Sequence, residues 1–530
     1  MYRHISAPIL ALPVELLSHI FVLATHDTET VDDDCPSFNS TSVLAPLDYG
    51  LVCKLWRYIA LNTPALYTSI CITPELLHES DSLDLRGIAT YLKLSRNYPL
   101  DILIDARDQD WDFDDEGLYM PWFTSQHMAE TVELILPFIH RWRSLSIFTD
   151  ISSPMHTALR MIEGRLDTTT FSSLESLRLM RCDAYAAYGE PNSSYSFLET
   201  LSMNRPSILP CLRQLTLRGV SAAWTPLSAH LTASLSAVEL AFLPNSLQPS
   251  LSELSGMLCA TSNLERLTLN VAGPVETETD DLPTLPKLAS LYLGYTSIGA
   301  GAATLRFISA AATSLNSISL EDASDPASLI PLDAAPMLSL LFSSSESQRP
   351  FPNLAKVALR RVMTAAVHVP DDVLVLDHLE LVNVSETLFD LGRAARHICV
   401  RGRFIGPFTD SITQSPTDDW LEHVTLSLIS TKTPRLIEAY EEVYSDPLQQ
   451  SVQEWVTGDI QVRVVRMHDP ETSDSSASDE DDDETMSLGS DEEDWSPFGG
   501  SQPRSNPLVA MVPSWAGILG GGNVVVRLGL

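Results

Sequence analysis

The residues that could do chemistry are few and scattered along the 530 residues of this chain. Seven cysteines occur without a CxxC pair, and the thirteen histidines show no metal-ligand spacing. The sequence also lacks GxSxG, GxxxxGK[ST] and HExxH motifs. We therefore expect reduced thiols, no catalytic residue, no metal and no cofactor, in a protein that is not an enzyme.

Two weaker signals have simpler interpretations. Gly294, Gly299 and Gly301 resemble a dinucleotide-binding loop, but Thr304 stands where the third glycine is required, which favours a turn between repeats. An acidic run over 479–484 lacks the alternating ligands of a calcium-binding loop, and charge runs of this kind are usually solvated.

One basic cluster stands out in a chain of net charge −36, and it consists of Arg393, Arg396, His397, Arg401 and Arg403. It is either the solvated side of one repeat or a patch that binds substrate through an acidic or phosphorylated segment. The overall charge argues against nucleic acid and anionic membranes as partners. Without an 18-residue apolar run or a signal-peptide pattern, we expect an intracellular protein, cytoplasmic or nuclear.

The elements that would position such residues are predicted by a recurring apolar pattern. Its final Leu-x-Leu is typical of a short strand, and the earlier apolar positions come from the turn before it. Anchors that recur at irregular intervals indicate stacked units that bury one continuous core. We interpret this as an irregular solenoid, and some other α/β arrangement is the alternative. Full matches begin at Ile139, Phe171, Leu209, Leu285 and Phe351, and shorter ones end at Leu240, Leu269, Leu320, Leu381 and Leu426.

Outward positions follow from the same alternation, because residues between the inward leucines point to the opposite face of the sheet. Such faces are the usual binding surface of repeat proteins. We expect this surface to carry Arg178, Thr216, Thr268, Tyr292, Ser319, Ala358 and Glu380.

The N-terminal region is predicted to form short amphipathic helices. Pro13 suits a first helical position, and the apolar residues that follow it have helical spacing. Leu51, Val52, Leu55, Trp56, Ile59 and Ala60 would form one broad stripe on a second helix. So short a helix pair cannot bury two stripes alone, so we expect part of this surface to meet another chain.

These residues resemble the F-box, the helical motif that docks on Skp1 in cullin-RING ubiquitin ligases. The resemblance is carried by Leu12-Pro13, Glu15-Leu16, Ile20-Phe21 and the run from Leu51 to Ala60. Asn62 to Tyr67 is similar to the segment after the F-box in many basidiomycete proteins. A polar insert over 25–43 departs from the usual link between the first two helices. The resemblance implies Skp1 contact by Leu12, Pro13, Leu16, Ile20, Leu51, Val52 and Trp56.

The resulting expectation is an α/β protein with five regions. They are an F-box over 8–72, a linking region over 73–138, a divergent leucine-rich-repeat-like solenoid over 139–468, a disordered acidic segment over 469–506 and an apolar tail over 507–530. The resemblance implies a substrate-recognition subunit of an SCF (Skp1-cullin-F-box) ubiquitin ligase, with an unknown protein substrate. A Skp1-binding scaffold outside any ligase and a degenerate enzyme domain are the alternatives.

Overall fold

A computed structural model describes the chain from Ile9 to Met467 with gaps. The described residues are 9, 12–26, 40–77, 82–108, 122–166, 169–182, 196–199, 207–243, 247–271, 283–324, 332–342, 350–365, 376–385, 387–388, 391, 395–402, 423–429 and 465–467. The regions predicted over 469–506 and 507–530, and most of the polar insert, lie outside them.

Three helices open the described chain: α1 (Val14–His26), α2 (Ser40–Val52) and α3 (Lys54–Leu61). The prediction of a single stripe from Leu51 to Ala60 is wrong, because the helix breaks at Cys53. The Cys53 backbone is extended, and its sulfur accepts a hydrogen bond from the Trp56 amide at 3.4 Å, which caps the start of α3. Leu51 and Val52 therefore end α2, while Trp56, Ile59 and Ala60 belong to α3.

The rest of the described chain is built on one parallel sheet of fourteen strands, which lie side by side in chain order. This confirms the predicted α/β class. The strands are β1 (Ser69–Ile72), β2 (Leu100–Ala106), β3 (Trp142–Thr149), β4 (Ser176–Arg181), β5 (Gln214–Arg218), β6 (Ala237–Ala241), β7 (Arg266–Val271), β8 (Ser290–Tyr295), β9 (Ser317–Asp322), β10 (Lys356–Arg360), β11 (Leu376–Val382), β12 (Ala395–Gly402), β13 (His423–Ile429) and β14 (Val465–Met467).

Parallel neighbours require crossover connections, and helices lie in many of them. These helices are α4 (Arg86–Leu94), α5 (Ser125–Ile135), α6 (Ser152–Leu166), α7 (Trp224–His230), α8 (Leu251–Cys259), α9 (Ile298–Ala311) and α10 (Ala335–Leu341).

The core lies between the sheet and these helices. Each of the ten apolar matches found in the sequence ends inside a strand, from β3 to β11 and in β13. In β3 to β11 the two anchor residues of every strand are buried. One continuous cluster of buried side chains joins Leu17 and Phe21 of α1 to Ile398 of β12, so the helical region and the sheet share a core.

The sheet begins earlier than the repeat pattern indicated. Strand β1 falls within the range assigned to the F-box, and β2 falls within the range assigned to a link. Both pair in parallel with their neighbours, Ile70 with Ile102 and Ile102 with Leu145. The sheet therefore extends across the positions 72/73 and 138/139 at which the sequence suggested boundaries.

Candidate functional site

Exposed apolar side chains are concentrated in the first three helices. Of the fifteen large hydrophobic residues that are exposed in the described parts of the chain, thirteen lie between Ile9 and Leu61. The other two are Tyr98 and Trp122. Scattered apolar residues on a surface need no explanation, but a concentration of this kind marks an interaction site.

Each of the three helices contributes a stripe at helical spacing. In α1, Leu16, Ile20 and Leu23 recur every three or four positions on a different side from the buried Leu17 and Phe21. In α3, Leu55, Tyr58 and Leu61 recur every three positions, away from the buried Ile59 and Ala60. We call the combined surface the apolar face. It consists of Leu16, Ile20 and Leu23 from α1, Leu44, Leu47 and Leu51 from α2, and Leu55, Tyr58 and Leu61 from α3, with Leu12 and Val52 beside them.

Aromatic rings hold the three helices together beneath this face. The Phe21 ring stacks on Tyr49 at 4.6 Å and meets Trp56 at 4.8 Å, so that one residue from each helix joins the cluster. Hydrogen bonds then fix α1 to the segment that leads into β1. Ser18 and Thr63 are joined hydroxyl to hydroxyl at 2.8 Å, and His26 Nε2 lies 2.8 Å from the Ala65 carbonyl oxygen.

The predicted Skp1-contact residues are divided by this arrangement. Leu12, Pro13, Leu16, Ile20, Leu51 and Val52 are all exposed, and the exposed fractions of Leu51 and Val52 reach 76% and 60%. Trp56 differs from them, because its half-buried ring faces Phe21 and Tyr49. Trp56 therefore supports the apolar face from below.

A polar cleft of about 520 Å³ lies where the helical region meets the first strands. The exposed Tyr98 forms one wall, and Arg143, Arg178 and Gln214 lie on the sheet side. The Arg143 guanidinium is paired with Asp101, and Arg178 Nη2 donates to Gln214 Oε1 at 3.3 Å. The cleft therefore offers hydrogen-bonding groups next to an aromatic surface.

The residues predicted to point outward from the sheet occupy matching register positions on neighbouring strands. Arg178 pairs with Thr216, Thr268 with Tyr292 and Ser319 with Ala358, and Glu380 follows on β11. Glu239 also belongs to this row, between Thr216 and Thr268. We call this side of the sheet the outer face.

Polar and charged side chains on the outer face contact partners on neighbouring strands. Arg218 contacts Glu239 at 2.5 Å, Arg360 contacts Glu380 at 3.2 Å, and the Tyr292 hydroxyl donates to Glu321. Burial, together with the charge of Glu321, raises the pKa of Tyr292 well above its ordinary value. The middle of this face therefore carries two ion pairs and one hydrogen bond from a tyrosine to a carboxylate.

The basic cluster is described only in part. Arg396 is exposed on β12, and its Nη1 lies 3.6 Å from Asp377 Oδ1. Arg401 is in the same strand and pairs in register with Val382 and Ser427. Arg393 and Arg403 lie outside the described residues, so the basic patch stays a prediction.

The glycine motif has a packing explanation. Gly299 and Gly301 lie inside α9, and the structure therefore replaces the predicted turn with a helix. A Cβ atom on Gly301 would lie 2.9 Å from the Met337 sulfur and 3.2 Å from Tyr295 Cβ. Glycine at this position lets α9 approach β8 and α10 closely.

The spacing of the histidines along the sequence did not reveal that three of them are aligned on neighbouring strands. His378, His397 and His423 are 19 and 26 residues apart in the chain, yet they occupy matching positions on three neighbouring strands. Each one directly precedes the first anchor residue of its strand, and this shared offset is the signal that could have found them. Among the described side chains, no three His, Cys, Asp or Glu residues form a group that could hold a metal ion.

No protein-family model matches the chain, and no curated protein is significantly similar to it. Within the described residues, none of the helices combines the length and the hydropathy needed to cross a membrane.

Proposed function

We propose that this protein is the substrate-recognition subunit of an SCF ubiquitin ligase. Its N-terminal helices would act as an F-box of the fungal, basidiomycete type, and its sheet as a divergent leucine-rich-repeat solenoid. The observation that carries the proposal is the concentration of exposed apolar side chains on α1 to α3. A Skp1-like adaptor is the partner that the F-box resemblance implies for this face.

The fold supports the second half of the proposal. Strands that follow one another in chain order, each paired only with its neighbours, are the arrangement expected of stacked repeats. Their outer face and the cleft beside Tyr98 offer surfaces of varied chemistry for a protein substrate. Ubiquitin transfer would belong to other subunits of the ligase, and this chain would contribute proximity and orientation.

Co-purification of the full-length chain with a basidiomycete Skp1 tests the docking half. Leu51→Asp places a charge on the apolar face, so Skp1 capture should fall at least tenfold, since interfaces exclude uncompensated charges. Trp122→Asp is the matched control, because Trp122 is also exposed but lies outside α1 to α3. If Leu51→Asp binds Skp1 as the wild type does, the docking assignment is wrong.

A second measurement on the same eluate separates the ligase from the alternative, a Skp1-binding scaffold that acts outside any ligase. Cullin and RING subunits recovered with Skp1 would support the substrate-receptor role. Skp1 recovered repeatedly without cullin would favour the scaffold.

A further inference from the structure

A groove of about 940 Å³ lies on the helical side of the sheet, between the start of α4 and the end of α5. Several pairs of neighbouring crossover helices pack closely against each other, as α5 does with α6, α7 with α8 and α9 with α10. Helices α4 and α5 lack such close packing, and the groove lies in the space between them. This space is therefore a gap in the helical layer that is open to a partner.

The floor of the groove is apolar. Leu83, Leu85 and Leu134 line it, and each packs against the main core while it remains half-exposed. Phe138 also lines the groove, and the guanidinium of the buried Arg141 lies 5.5 Å from the centre of its ring. Arg141 is itself fixed, because it donates hydrogen bonds to the segment that follows α4. The floor is therefore a preformed apolar surface.

The rim of the groove is acidic. Glu130 and Glu133 lie three residues apart on one side of α5, and both are exposed. Glu130 accepts a hydrogen bond from Gln126 at 2.8 Å, and this neutral partner leaves the charge in place. Among the described lining residues Arg86 is the one cation, and both carboxylate oxygens of Asp84 hold it, at 2.8 and 2.7 Å. Because Arg86 and Asp84 compensate each other, the two glutamates set the sign of the charge at the groove.

An apolar floor beside an acidic rim fits an amphipathic segment that carries lysine or arginine next to its apolar side chains. The volume of the groove is within the range of ligand pockets, so it accepts several side chains but no folded domain. An amphipathic helix presents apolar residues every three or four positions, and successive ones can therefore enter the same groove.

We propose that the groove between α4 and α5 binds a basic amphipathic helix of a partner protein. Apolar side chains of that helix cover Leu85, Leu134 and Phe138, and its cations lie against Glu130 and Glu133. This surface is distinct from the proposed Skp1-docking surface, because all of its residues lie outside α1 to α3. Failure of one proposal therefore leaves the other standing.

Fluorescence anisotropy tests the proposal with the full-length chain and a labelled amphipathic peptide of about 18 residues, built from leucine and lysine. Combining Glu130→Lys with Glu133→Lys should weaken peptide binding at least about tenfold, because cations would then face cations. Combining Glu199→Lys with Glu265→Lys is the matched control, since it makes the same change in net charge at two exposed glutamates away from the groove. The control should lose no more than about twofold, because distant exposed charges are screened by salt.

A second pair of variants tests the apolar floor. Ala89 lines the groove on α4, so Ala89→Phe fills part of the space and should weaken binding of the same peptide at least about tenfold. Thr90→Phe adds a similar ring at the next residue, which is exposed and does not line the groove, and it should bind the peptide as the wild type does. Both variants should capture Skp1 as the wild type does, which separates this surface from the apolar face.

Several outcomes would overturn the proposal. Absence of peptide binding by the wild type, unchanged binding in the groove variants, or an equal loss in their controls would remove the site. Tighter peptide binding after deletion of 507–530 would show that the apolar tail of this chain fills the groove. A wild-type dimer in analytical ultracentrifugation that Ala89→Phe dissociates would show that a second copy fills it.

Discussion

Leucine side chains are buried in the sheet of this molecule but exposed on its N-terminal helices. In the sheet, Leu217 of β5 has an exposed fraction of 0%, whereas Leu51 at the end of α2 has 76%. Each strand of the sheet lies between two similar neighbours that cover its anchors, and the helices behind complete the burial. Within the described residues, the three N-terminal helices lack such neighbours on one side. Similar residues therefore build a core where the architecture repeats and an exposed apolar face where it stops.

The largest expected difference in stability between the two regions comes from truncating a buried anchor residue of the sheet. Leu217→Ala leaves a cavity in a fully enclosed position, so the free energy of unfolding should fall by about 2 to 5 kcal/mol. Equilibrium denaturation with urea would measure this loss. Leu51→Ala, which removes the same atoms from an exposed position, should change stability by no more than about 0.5 kcal/mol. Equal losses in the two variants would contradict the distinction between the regions.

A smaller effect is expected beneath the apolar face. Trp56→Ala removes a half-buried ring that packs on Phe21 at 4.8 Å. Replacing a fully buried tryptophan by alanine costs about 3 to 5 kcal/mol of stability. Because Trp56 is only half-buried, we expect the free energy of unfolding to fall by about 2 kcal/mol. Skp1 capture should weaken as well, because the helices would lose their common support. Trp56→Phe should retain most of both properties, and a Phe variant as impaired as the Ala variant would show that the indole itself makes the contact.

The joint between the two regions should be sensitive to alkaline pH. The Tyr91 hydroxyl of α4 donates to the Val43 carbonyl of α2 at 2.8 Å, and burial raises the pKa of Tyr91 to about 12. An unfolded tyrosine loses its proton near pH 10, so between about pH 10 and 12 the folded state holds more protons and its stability falls as pH rises. Tyr91→Phe should cost about 1 kcal/mol at pH 7, the value of a hydrogen bond.

The same variant should flatten the pH dependence of stability above pH 10, as followed by denaturation at several pH values. Tyr58→Phe is the control, because Tyr58 is exposed on the apolar face. An identical alkaline slope for Tyr91→Phe and the wild type would refute the role of Tyr91.

The smallest expected effects on stability concern two helical glycines with different surroundings. Gly256 lies inside α8 with no atom within 4 Å of a Cβ placed on it, so Gly256→Ala should raise the free energy of unfolding by about 0.5 to 1 kcal/mol. Gly301→Ala adds the same methyl group against Met337 and Tyr295, and it should lower stability by about 1 kcal/mol. Thermal denaturation of both variants would measure the difference, and a stabilising Gly301→Ala would show that the contact relaxes freely.

The repeating strands could be predicted from the sequence because the spacing of their buried anchor residues is set within each strand. The spacing of Leu215 and Leu217, for example, reflects one strand and the turn before it, and both are short-range features. Strand β1 was missed because four residues carry too little alternation to be distinguished from the end of the helical region. The break at Cys53 was missed because cysteine is an unusual capping residue.

Features that depend on pairing between distant segments were out of reach. His378, His397 and His423 share one register although connections of unequal length separate their strands. Each of them precedes a strand anchor, which is a local signal, but no local pattern encodes which strands become neighbours. The difference in exposure between Leu16 and Leu17 was equally hidden. They are identical residues about 100° apart around α1, and only packing decides which one is buried.

The order of the strands has a consequence for how the chain is made. Because each strand pairs only with the strands before and after it, a growing chain can add one strand at a time to a sheet that already exists. The three N-terminal helices leave the ribosome before any of these strands. We therefore expect the apolar face to be available to a partner, or in need of a chaperone, throughout the synthesis of the rest of the protein.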